Sequence, residues 1–259
     1  MGHTRVGLLP NVGRWREVMT ALGEGATPAD ELTTLVLDAA ADTLARNDFD
    51  QPVSASFELL IQMAQAADSP DWIVRLSEVG IEVDERTSAR RLVARSVEAL
   101  RGRLSDEQCS FLGREIALRT FAETLGSYFS AQTGSLLGSD AQTGREWLAR
   151  LNRGDAFGRI SHQYFALLLR RTVAYFASRE IPRHVAQNGR FATVTEAAAF
   201  EREELGAASY DAAAVVRRFA EEWYGGRLAR RQAHLPDVRG FAAYATRKLV
   251  GALPAEGDA

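Results

Sequence analysis

An arginine on the apolar face of a helix is either a cation reaching back to water or half of a binding site, and this chain of 259 residues has two. The stretch SHQYFALLLRRTVAYFASREIPRHV, residues 161–185, holds one of them. Advancing about 100° per residue from His162 puts Arg159, Gln163, Ala166, Arg170, Ala177 and Glu180 on a slim polar edge beside it. Phe157, Tyr164, Phe165, Leu168, Thr172, Tyr175 and Phe176 fill the wide opposite arc. Arg171 projects into that arc, where a guanidinium must extend outward or meet a carboxylate. On the preceding long helix Phe111, Leu118, Phe121, Leu125, Tyr128 and Phe129 make one stripe, and Arg114 intrudes on it in the same way. The pattern nominates an anion or partner pocket lined by Arg114, Arg171, Tyr164 and Tyr175, with ordinary reaching toward solvent as the plain alternative.

Other reactive residues are isolated. His3, His162, His184 and His234 never fall three or four residues apart, and no H-E-x-x-H or Glu-x-x-His pair is present, so no metal site is expected. Cys109 is the single cysteine; it rules out an intrachain disulfide, and beside Phe111 and Leu112 it reads as a small core residue. A place in the first turns of a helix would lower its thiol pKa, which keeps it, with His162, as a candidate for an enzyme. Neither G-x-S-x-G nor a phosphate-binding glycine loop occurs, and no cofactor is expected. The C-terminal region carries Arg217, Arg218, Arg227, Arg230, Arg231, Arg239, Arg247 and Lys248 against four carboxylates, interleaved with Trp223, Tyr224, Phe241 and Tyr244. Arg217, Arg227, Arg230, Arg231, Arg239, Arg247 and Lys248 are therefore candidate nucleic-acid contacts, because arginines neutralise phosphates and exposed rings stack on bases.

Charge is polarised along the chain. The total is −3, yet residues 1–90 hold seven arginines against fifteen acidic residues, a net of −8, which leaves +5 for the remainder. An acidic part and a basic part can pack on each other or pair between copies, so a protein partner or self-association is expected. No apolar run approaches the ~20 residues a bilayer requires. With no secretory pattern at the first residues, a cytoplasmic protein without membrane association is the expectation.

The elements that must hold these residues read as helices. Leu32, Leu35, Val36, Ala39, Ala40 and Thr43 form one stripe after Thr27 and Pro28; Val53, Phe57, Leu60, Ala64 and Ala67 form another. Gly80 suits a left-handed helix end. The sequences SDEQ, from Ser105, and TVTE, from Thr193, are capping boxes that predict helices to about Ser130 and Leu205. Strand-like alternation is scarce: TRVGLLP near the start and RFATV from Arg190 are the extended candidates. The expected fold is an all-α, irregular bundle of eight to ten helices with a short extended N-terminal segment. It forms one domain, or two lobes divided at the 131–144 loop, 1–130 leaning acidic and 145–259 basic. The expected function is a non-enzymatic accessory or regulatory protein that docks a protein partner; nucleic-acid binding through the C-terminal arginines is the alternative, and an enzyme with an unrecognised helical site the third.

Overall fold

A computed structural model describes residues 13–46, 49–104, 109–133, 141–186, 189–228 and 235–252. The chain is all-α. In order, the helices are α1 (Arg14–Glu24), α2 (Ala29–Arg46), α3 (Asp50–Ala67), α4 (Trp72–Glu78), α5 (Ala89–Arg103), α6 (Phe111–Thr133), α7 (Ala141–Arg150), α8 (Gly154–Glu180), α9 (Val194–Ala199), α10 (Leu205–Ala212), α11 (Ala214–Leu228) and α12 (Leu235–Ala252). A 3-10 turn, Ile181–His184, continues α8, and a π-helical stretch, Phe200–Glu204, joins α9 to α10 without a break. Among the described residues the one extended pairing is an isolated bridge between Val185 and Phe191, the second of them in the RFATV segment. TRVGLLP lies outside the described residues.

Local signals act where the sequence puts them. Gly80 takes φ 87°, and behind it the Ile81 and Gly80 amides donate to the carbonyls of Leu76 and Ser77, at 2.9 Å each. That is a Schellman ending, and its apolar pair, Leu76 and Ile81, is fully buried. Thr193 accepts from the Glu196 amide at 3.1 Å, while the Glu196 carboxylate reaches back one residue beyond the cap, to the Ala192 amide at 2.8 Å, a variant of the capping box. The helix it opens does not stop near Leu205 but passes through the π stretch to Ala212. The other capping box, 105–108, lies outside the described residues. Helix α6 starts at Phe111 with Ser110 accepting the Gly113 amide at 3.1 Å, so Cys109 precedes the helix instead of sitting in its first turns.

The longest helix, α8, runs through the middle of the assembly and packs against α2, α6, α10 and α11. Its wide apolar arc is the centre of one contiguous core that draws buried side chains from Trp15 through Leu249. Phe57 of α3 meets Phe157, Tyr164, Phe165 and Phe241 with ring centroids 5.0–6.0 Å apart, and Phe157 stacks on Tyr224 at 4.1 Å. Polar clasps fix the frame around these rings. Asn152, between α7 and α8, donates to the Ala64 carbonyl at 2.8 Å and accepts from the Tyr224 hydroxyl at 2.8 Å, tying α3 to α11. Arg145 donates to the carbonyls of Ala67 and Ser69, at 3.0 and 3.1 Å, serving the α3 end. On the other flank Trp15 donates to Thr43 at 2.8 Å and Arg14 to the buried Asp38 at 2.7 Å, seating α1 on α2.

The closest approach is between α8 and α11, and glycine allows it. A Cβ on Gly158 would lie 2.9 Å from the Arg217 carbonyl oxygen and 3.0 Å from the Glu221 side chain; one on Gly154 would lie 3.0 Å from the Glu221 carbonyl oxygen. Two glycines four residues apart leave a smooth strip on α8 into which the α11 backbone settles. Gly158→Ala must push the helices apart against backbone atoms. It is expected to cost about 1–3 kcal/mol and to lower the melting temperature by several degrees in a calorimetric scan, whereas Gly126→Ala, which would meet nothing within 4 Å, is expected to leave it unchanged or higher.

Candidate functional site: a basic cleft beside helix α8

The glycine strip decides what stands opposite the polar edge of α8. Settling α11 against Gly154 and Gly158 brings Arg217 to the edge that carries Arg159, His162, Gln163 and Arg170. With Tyr210 and Gly206 of α10 these residues line a cleft of about 450 Å³ floored by Ala166 and Leu167. Pockets of this size suit a small molecule or a few residues of a peptide. Among the described residues three guanidiniums line it and no carboxylate does.

Two of the polar groups there have an identifiable anchor, His162 and Arg159. His162, only 6% exposed, bonds through Nε2 to the Tyr210 carbonyl at 2.8 Å, so Nε2 is the nitrogen that carries a proton. Tyr210 is in the last turn of α10, where carbonyls lack a donor of their own helix, and the imidazole supplies one. The two rings lie 4.3 Å apart, and the tyrosine stays more than half exposed at the mouth. Arg159 bonds to Asp155 at 3.0 Å. Burial raises the Asp155 pKa, but the hydrogen bond from Arg159 and the charge of Arg153 outweigh it and hold the carboxyl below its usual value. Arg170 and Arg217 make no ion pair among the described residues. Glu201, on the π stretch, is the acidic group felt across from Arg170; burial pushes its carboxyl up, and Arg170 pulls the other way without cancelling the effect.

The residues nominated from the apolar faces have separate partners. Arg171 pairs with Glu123 of α6, the carboxylate its position called for, and the pair is partly exposed. Arg114 sits near the start of α6 with its guanidinium 5.7 Å from the Phe111 ring. Tyr164 is buried and donates to Ser56 at 3.0 Å. Tyr175 is half-buried under Arg179, whose guanidinium lies 3.9 Å from the ring centre. Of the C-terminal cations, Arg217 faces the cleft, Arg239 pairs with Glu58 at 3.1 Å, and Arg247 and Lys248 flank the exposed Tyr244 ring at 5.9 and 5.5 Å. Arg230 and Arg231 lie outside the described residues, as does the side chain of Arg227. Among the described residues no group of three or more His, Cys, Asp or Glu could hold a metal ion, and no helix is long and apolar enough to cross a membrane.

Sequence reasoning had sorted Arg159, His162, Gln163 and Arg170 onto one slim polar strip but had not made a site of it. What it lacked was the α11 surface that turns the strip into a wall. Comparison with protein-family models, with curated proteins and with solved structures gave no match to this chain.

The two adjacent arginines of α8 separate support from binding. Arg171→Met removes a half-exposed ion pair and is expected to cost less than about 1 kcal/mol, read as a small shift of the urea midpoint, with binding of an acidic peptide unchanged. A loss of that binding would place Arg171 in the site.

Proposed function

We propose that this protein is a non-enzymatic, cytoplasmic docking protein, an accessory or regulatory subunit that holds an acidic segment of a protein partner in the cleft beside α8. The observation that carries this reading is the convergence of Arg159, Arg170 and Arg217 on one concave surface with no lining carboxylate. Arg159 is paired with Asp155, but Arg170 and Arg217 make no ion pair among the described residues; an anion that enters between these guanidiniums relieves their mutual repulsion while gaining charge-assisted hydrogen bonds. Gln163, Tyr210 and His162 add directional polar groups, and Ala166 and Leu167 give an apolar floor. Binding rather than turnover fits the histidine's environment: its Nε2 proton is committed to a main-chain carbonyl, and no serine, cysteine or carboxylate shares the cleft with it.

The acidic occupant is favoured over a nucleic acid by how the described C-terminal cations are spread. Arg217, Arg239 and the Arg247–Lys248 pair have three different surroundings, and Arg239 is already neutralised by Glu58. A phosphate backbone is best tracked by a continuous row of unpaired cations.

Titration of hexaglutamate, measured by calorimetry at two salt concentrations, tests the reading. Binding is expected to weaken as salt rises, and Arg170→Glu or Arg217→Glu, both on exposed side chains, to weaken it about tenfold or more each. Equal affinity in wild type and both variants would sink the proposal. Tighter binding of a single-stranded oligonucleotide of the same charge, lost on reversing Arg247 and Lys248, would replace it with the nucleic-acid reading.

A further inference from the structure

Beyond Arg170 the surface of α8 does not close. A second hollow of about 190 Å³ begins on the far side of the same arginine, walled by Val173 and Ala174 of α8, Ala198 of α9 and Leu205 of α10. Val173 and Leu205 are each 1% exposed, so their exposed atoms are the floor of this hollow and little else. Arg159, Gln163, Ala166, Arg170 and Ala174 follow one another at steps of three or four residues. The cleft and the hollow therefore form one groove along α8, about 22 Å long at 1.5 Å per residue. Its second wall is built in turn from α11, α10, the π stretch and α9.

The two halves differ in chemistry. On one side of Arg170 the lining is basic with no carboxylate; on the other the walls are aliphatic, and Glu201 stands at the rim with Arg202, which pairs with Glu203 at 3.5 Å. The carboxyl of Glu201 would repel an acidic residue placed over that hollow, so the negative charge of an occupant ends at Arg170. The π stretch is what puts it there. An extra residue in one helical turn rotates the following side chains, and such turns recur at functional sites.

We infer that the partner segment is acidic in one half and carries a single large aliphatic residue next to its acidic run, and that the hollow of Val173, Ala174, Ala198 and Leu205 takes that side chain as its anchor. This rests on the cleft's binding an acidic segment. The acidic run neutralises the arginines and governs association and salt dependence; the aliphatic residue, withdrawn from water, sets which acidic segment is retained.

Hexaglutamate and two hexaglutamate peptides extended by one leucine, at the N-terminal or the C-terminal end, are titrated into the full chain and into Ala198→Trp and Ala198→Glu. Ala198 is exposed, so both variants are expected to melt like wild type, which is checked in the same samples. Wild type is expected to bind one of the two leucine peptides about tenfold tighter than hexaglutamate. Both variants are expected to lose that preference, and Ala198→Trp, which adds no charge, is expected to bind hexaglutamate as before. Equal affinity of wild type for all three peptides, or a preference that survives in both variants, overturns the anchor and leaves the acidic cleft standing. Failure of hexaglutamate itself to bind overturns the cleft and the anchor with it.

Discussion

The approach of α11 to α8 over Gly154 and Gly158 is the constraint on which the rest of the molecule turns. At those positions the α11 backbone occupies the space a side chain would fill, with separations of 2.9–3.0 Å to an imagined Cβ. The same contact lets Phe157 stack on Tyr224 and lets the Tyr224 hydroxyl reach Asn152, which also holds the end of α3. Core, clasp and cleft are thus one assembly: whatever separates α8 from α11 loosens the aromatic centre and moves Arg217 away from Arg159 and Arg170.

Electrostatics then divides the arginines into two kinds. Most are spent on the fold: Arg14 on Asp38, Arg145 on the α3 carbonyls, Arg171 on Glu123, Arg239 on Glu58. Each such contact gives a guanidinium a partner supplied by the chain. Among the described residues Arg170 and Arg217 have no such partner, and they stand on the wall of a concave surface instead of a convex one. Solvent screens isolated surface cations at little cost, but a concave wall focuses their potential and gives an anion several donors at once. That difference in surroundings, not the abundance of arginine in the chain, marks the cleft.

Much of the architecture was legible in the residues. Periodicity and caps are local physics, so Gly80, Thr193 with Glu196, and the apolar arc of α8 behave as their sequences require. The helical wheel also grouped Arg159, His162, Gln163 and Arg170 correctly. Four things were not legible. A wheel ranks the faces of one helix but cannot say which partner lies against a polar one, so the edge carried no sign of the wall opposite it and the outlier Arg171 stood out instead. The backward reach of Glu123 to Arg171 joins residues 48 apart in sequence, and nothing local encodes it. The π stretch has no punctuation in FEREE, whose charged residues suit an ordinary α-turn, and the Gly154–Gly158 spacing passed unnoticed because two glycines in a helix read first as a weakness.

The central claim is that negative charge is received by the α8 cleft and by no other basic surface of the chain. The direct measurement is an NMR titration of the arginine Nε–H signals with hexaglutamate, each signal assigned by substitution. The account predicts saturable shifts at Arg159, Arg170 and Arg217, with Arg171, Arg239 and Arg247 unmoved. Shifts led by Arg239 and Arg247, or spread evenly over all arginines, would contradict it.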